Sequence, residues 1–314
     1  MTSLARWLLI SSMTLTTLPL VYASEDLPTP ASQADTANHS PNSDALAQNE
    51  MRNAGMEINR TKVIGPATAD LLGKAQLTVP AGYLFVPALA ARQYLEAMGN
   101  PEDNSVEGLL IPQDENQDWL MVISYNNEGH IDDEEAKDWD ADGMLSSIKS
   151  GVEHSNEART SRGFPALEVS GWIEKPTYDA AQQRLIWSLA AHDQGTPSGP
   201  QDLVNYNTYA LGREGYFSMN MITDQRTVES LKPTAKTLLG QLHYVDGQRY
   251  SDFNPDTDQM AAYGIAALVG GGLAAKKLGL MAIIAAFFAK FFKVIVIALI
   301  AGGAGIRKFF GGKS

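Results

Sequence analysis

The last fifty or so residues constrain this chain more than any other stretch. Residues 261–314 hold seven Lys or Arg and no acid, and between those bases they are almost wholly apolar. Within them, residues 278–305 (LGLMAIIAAFFAKFFKVIVIALIAGGAG) carry only Lys290 and Lys293 as charges. A membrane-spanning helix needs roughly 20 apolar residues. Each lysine near its centre costs about 2.5–3.5 kcal/mol. Against this, the large aliphatic and aromatic side chains from Leu280 to Ile300 favour insertion by roughly 0.3–0.6 kcal/mol each. The sums balance or lean towards insertion, so 278–305 reads as a transmembrane anchor and 306–314 as its basic, cytoplasmic tail. The competing geometry breaks the block at the two lysines into short cationic helices lying in the interface.

The opposite end points the same way. Arg6, the apolar run from Trp7 to Val21, and Val21-Tyr22-Ala23 read as the three parts of a secretory signal over residues 1–23, with an uncleaved N-terminal anchor as the alternative. Export through a bacterial inner membrane then puts the main domain in the periplasm. Cysteine is absent, which removes disulfides, thiolate metal sites and cysteine nucleophiles. Of 24 Lys and Arg, seven lie in 261–314 and one is Arg6, so residues 24–260 set 16 bases against all 36 acids. That balance argues against a nucleic-acid partner. The expected partners are the inner-membrane bilayer and an envelope protein.

Between the ends, residues 24–59 begin with a polar, Pro- and Asn-rich run and read as a disordered leader. Residues 60–258 read as an α+β domain, an antiparallel sheet with flanking helices. AQLTVP (75–80), YLFVPA (83–88), WLMVISY (119–125), ALEVSGWIE (166–174), RLIWSLAAHD (184–193), VNYNTYAL (204–211) and GYFSMNMIT (215–223) have strand composition. Their short, turn-rich connections favour antiparallel pairing. Helices are expected over 88–98, 144–158 and 226–242, the last interrupted by Pro233. Residues 259–277 read as a Gly/Ala-rich helical segment, on which Ala262, Ala266, Gly270 and Ala274 would line one smooth ridge, or as a flexible hinge, since its three consecutive glycines weaken any helix.

Four ordered motifs carry a family resemblance: GW-x3-P-x-YD (171–179), VNY-x4-LGR-x-G (204–215), G-x-RY-x-DF (247–253) and D-x2-AAYG-x-AALV-x-GG (258–272). With these, the chain resembles the bacterial family catalogued as domain of unknown function 2167, from about residue 60 to about 310. The resemblance implies an exported domain with a C-terminal anchor. It implies no activity and no functional residues.

The aromatic, Arg and Asp residues of these motifs make the first candidate site: Trp172, Tyr178, Asp179, Asn205, Tyr206, Arg213, Arg249, Tyr250 and Asp252, with Phe253 beside them. Such a set suits either a ligand cleft or a polar network that locks turns. Asp138, Asp140 and Asp142 before Gly143 have the alternation of a calcium loop, but its twelfth position is Lys149 instead of a bidentate Glu. A solvated helix start is the alternative reading of those acids. Ser146 and Lys149 have the SxxK spacing without its partner motifs, and the five histidines fall in no paired ligand spacing. No cofactor is expected. Two function classes follow: a binding or structural envelope component, or a membrane-tethered enzyme with a site around Arg213, Arg249 and Asp252. The first is preferred. A cleft lined by those side chains would favour the enzyme; their consumption in a packed network would favour the binding class.

Overall fold

The computed structural model describes residues 41–270, apart from 99, 101, 115, 138 and 161–164. The signal segment and the expected anchor lie outside the described residues. Among those described, no helix is long and apolar enough to cross a membrane.

In chain order the elements are α1 (Pro41–Thr61), β1 (Val63–Ile64), β2 (Ala67–Leu71), β3 (Ala75–Val79), β4 (Tyr83–Pro87) and α2 (Ala88–Ala97). Then come β5 (Val106–Pro112), β6 (Leu120–Asn126), β7 (His130–Asp132), α3 (Ala141–Thr160), β8 (Leu167–Asp179) and β9 (Arg184–Asp193). The chain continues through β10 (Leu203–Leu211), β11 (Tyr216–Asp224), α4 (Val228–Leu239), β12 (Leu242–Tyr244), β13 (Met260–Gly264) and α5 (Ala267–Gly270). Eight strands form one antiparallel sheet in the order β1-β4-β5-β6-β11-β10-β9-β8, and β12-β3-β2 form a second sheet of three. This is the expected α+β architecture.

Side-chain alternation sorts the core into layers, because successive residues of a strand face opposite sides. Phe217, Met219 and Met221 of β11 point to one face, where they share a cluster with Leu77 and Val79 of β3, Leu242 of β12 and Leu238 of α4. Ile222 points to the other face and packs with Ile58 of α1 and Tyr94 and Leu95 of α2. Tyr216, at the far end of that same face, packs with Met144, Ile148 and Val152 of α3. With both faces covered, every residue of β10 is buried and all of β11 but Asp224. That double cover explains why VNYNTYAL and YFSMNMIT show no clean apolar–polar alternation.

Four expectations need correction. Pro233 does not interrupt its helix: α4 runs from Val228 to Leu239 with the proline inside it. The leader is helical from Pro41, because Ala54 and Ile58, 2% and 0% exposed, give an otherwise polar helix an apolar seam against α2. The Gly/Ala-rich segment begins as a strand: Met260–Gly264 runs parallel to β7, so Ala262 and Ala266 share no helix ridge and α5 starts only at Ala267. Tertiary pairing overrides the local composition there. Finally, β8 runs past the expected strand end at 174, as far as Asp179, and the chain reverses at 180–183. There the Asp179 carboxylate accepts the N–H groups of Ala181 and Gln182, at 2.9 and 3.1 Å.

Leu77 is fully buried between the two sheets. Leu77→Ala is expected to lower stability by about 2–5 kcal/mol, measured as a shift in the urea midpoint with unchanged slope. A loss below about 1 kcal/mol would contradict this packing.

Candidate functional site

The β10–β11 hairpin turn, Gly212-Arg213-Glu214-Gly215, lies under a strap formed by residues 246–269. Arg213 meets the strap with every nitrogen it has. Its Nε and Nη2 donate to the two carboxylate oxygens of Asp258 at 2.6 and 2.8 Å. Its Nη1 donates to the Gly247 carbonyl at 3.1 Å, and its backbone N–H to the Gln248 carbonyl at 3.0 Å. Such a two-pronged guanidinium–carboxylate pair holds direction as well as distance. Asp258 is completed by the Asn254 N–H at 2.8 Å and the Thr257 hydroxyl at 3.0 Å.

β7 supplies the other half of the grip. His130 Nδ1 lies 3.2 Å from the Arg213 carbonyl; since a carbonyl only accepts, Nδ1 carries the proton. The imidazole is stacked between the rings of Tyr250 and Phe253, at centroid distances of 4.1 and 4.0 Å. The Tyr250 hydroxyl donates to the Ile131 carbonyl at 2.7 Å, and the Tyr178 hydroxyl to Asp133 Oδ2 at 2.7 Å. The His130 N–H reaches the Gln259 carbonyl and the Ile265 N–H the Asp132 carbonyl, both at 2.8 Å. Gly129 is required where the strap crosses: its φ is +92°, and a Cβ there would stand 2.7 Å from the Gln259 carbonyl oxygen. Arg249 pairs with Asp246 on the exposed side, while its backbone N–H donates to Asp252 at 3.0 Å.

The structure therefore brings Tyr178, Arg213, Arg249, Tyr250, Asp252 and Phe253 to one corner and leaves the remaining candidates elsewhere. Trp172 donates through Nε1 to the Ala141 carbonyl at the start of α3, at 3.2 Å. Tyr206 is on the opposite face, where its hydroxyl donates to Glu174 at 2.7 Å and Glu174 pairs with Lys236 of α4 at 2.8 Å. Asn205 is buried near the start of β10, its carbonyl accepting the Ser188 hydroxyl at 2.9 Å. Asp179 caps its exposed turn.

The family comparison agrees with the motifs that build this corner. Residues 64–300 match the family described as "Protein of unknown function (DUF2167)". The chain belongs to that family. No curated protein matches it. Two solved structures overlap it weakly: cyanobacterial PsbP (CyanoP) from Synechocystis sp. PCC 6803, at 9% identity and a TM-score of 0.33, over 59% of this chain and 92% of that one; and the Saccharomyces cerevisiae Ran-binding protein Mog1p, at 13% identity and a TM-score of 0.30, over 62% of this chain and 98% of that one. Likeness at that level says nothing about function.

In this DUF2167 member the remaining constellations are local locks. Asp140 Oδ1 accepts the N–H groups of Asp142 and Gly143 at 3.1 and 3.0 Å, the geometry of a helix cap at the start of α3. Asp142 reaches out to Lys175 at 3.4 Å, and Asp138 lies outside the described residues. Among the described residues, no group of three or more His, Asp or Glu could hold a metal ion. A cluster missed from the sequence joins Ser170, His192 and Asp202, contributed by β8, β9 and the turn before β10. Ser170 Oγ is 2.9 Å from His192 Nδ1 and donates to Asp202 Oδ2 at 2.8 Å. Asp202 also accepts from the Ser198 hydroxyl at 2.6 Å and the Gly199 N–H at 2.7 Å. Serine and aspartate address the same ring nitrogen, so the imidazole does not stand between them as it does in a relay. The cluster locks the turn.

The titration behaviour of the corner fits a structural grip. The Arg213 guanidinium, then the Asn254 N–H, hold the Asp258 carboxyl well below the usual carboxylate range. Burial, then the Asp133 carboxylate beside it, push the Tyr178 phenol far up, so it stays protonated and donates. A carboxyl that binds its proton less tightly when folded adds stability that is complete above the ordinary aspartate value, about 3.9. That contribution is lost as the pH falls towards the lowered value. Asp258→Asn is therefore expected to be less stable than wild type at pH 7 and to show a flatter decline between about pH 4 and pH 2. Unfolding free energies across that range check this; parallel curves would remove Asp258 from the acid-sensitive set.

Proposed function

We propose that this protein is an exported envelope component, held to the inner bilayer by residues 278–305, that works by binding or by scaffolding and not by catalysis. One observation carries the choice of class: Arg213, the most chemically able residue of the matched motifs, spends all three guanidinium nitrogens on strapping residues 246–258 to the sheet. Asp252, Tyr250 and Tyr178 are spent in the same way. A substrate-facing site around Arg213, Arg249 and Asp252 would need those groups free. The strap leads directly into the apolar C-terminal block, and the family match runs to residue 300, through most of that block. The signal-like N-terminus and the net acidity of residues 24–260 support the placement outside the inner membrane.

Because the chain has no cysteine, a single introduced thiol reports topology without background. Gln182→Cys, at an exposed turn, is expected to react with a membrane-impermeant maleimide in cells with a permeabilised outer membrane. The same chain should stay in the pellet through a carbonate wash. Labelling only after lysis, or release by carbonate, would overturn the proposal.

A further inference from the structure

The strap is held by a different kind of bonding from the sheet it lies on. β10 and β11 pair without interruption from Leu203↔Asp224 to Leu211↔Tyr216, with both faces covered. β13 meets β7 at only two positions, Met260↔His130 and Gly264↔Asp132, with a shift between them. The remaining ties are discrete: Arg213 on Asp258, Gly247 and Gln248, the backbone N–H of His130 on Gln259, that of Ile265 on Asp132, the Tyr250 hydroxyl on Ile131, and the His130 ring between Tyr250 and Phe253. An apolar plug of Ile265, Leu268 and Val269 under α3 closes the far end. A segment held by discrete polar ties and a small plug, without a continuous strand ladder, opens locally at lower cost than the global unfolding of core strands.

We propose that residues 246–269 are a latch, which detaches from the sheet as one unit while the eight-stranded sheet stays folded. Closed, the latch delivers the chain to the C-terminal block from a fixed corner of the domain. Open, its 24 residues become a tether whose extended reach is about 80 Å. The latch thus sets how far the domain can stand from the point where the block is held. That consequence rests on the anchoring reading above, whereas the detachment itself does not.

Hydrogen exchange of the full-length chain in detergent micelles tests this, comparing wild type with Arg213→Ala and Tyr250→Phe. Removing the guanidinium is expected to speed exchange in peptides from 254–269 by about tenfold or more. Removing the hydroxyl alone should speed it by about fivefold. Peptides from β9, β10 and β11 should change less than twofold in both variants. Should Arg213→Ala fail to fold, Tyr250→Phe decides by itself. Equal acceleration of strap and strands, or none in the strap, would overturn the latch. Uniform acceleration with carbonate-resistant retention would sink the latch and keep the anchor; carbonate release with strap-only acceleration would do the reverse.

Discussion

The structure depends on the β10–β11 pairing being covered on both sides. Nine residues of each strand face one another in register, with β9 and β6 on their outer edges. The second sheet and α4 cover one face and four helices share the other. A ribbon that is dry on both faces keeps its hydrogen bonds out of competition with water, so its turn is a rigid post. Arg213 sits on that post. Through it the strap is tied to the most deeply covered part of the sheet.

That arrangement explains how charge is used. The acidic middle of the chain spends several carboxylates as acceptors for backbone N–H groups at turns: Asp140, Asp179, Asp202 and Asp252 each do this. Asp258 does it too, while also taking the guanidinium. These are inward uses of charge. They stiffen corners.

Much of the sheet was legible from the chain alone, and the reason is visible in the strands that were found. AQLTV alternates because it lies on a sheet with one wet face. RLIWSLAAHD and WLMVISY are rich in aromatic and branched residues and bounded by turns. β5 and α1 were not legible: the first is a short apolar run with few branched residues, and the second is polar except for a seam that matters only once α2 is beside it. The candidate site divides in the same manner. Its motifs drew attention to Arg213, Tyr250 and Asp252, but not to His130 or Asp258, although Asp258 opens a motif that was recognised. Nothing local marks a histidine that will be sandwiched by rings more than a hundred residues away.

The sequence by itself determined composition-level facts: an apolar, base-bearing C-terminal block, a signal-like start, no thiol chemistry, and an antiparallel α+β middle. Each follows from short-range periodicity or from counting, where neighbours in the chain are the only neighbours that matter. Tertiary structure alone decided that Met260–Gly264 would be a strand and that Arg213 would find Asp258. Both are contacts between segments far apart in the chain, and their energies exist only after the sheet has brought the partners within a hydrogen bond of each other.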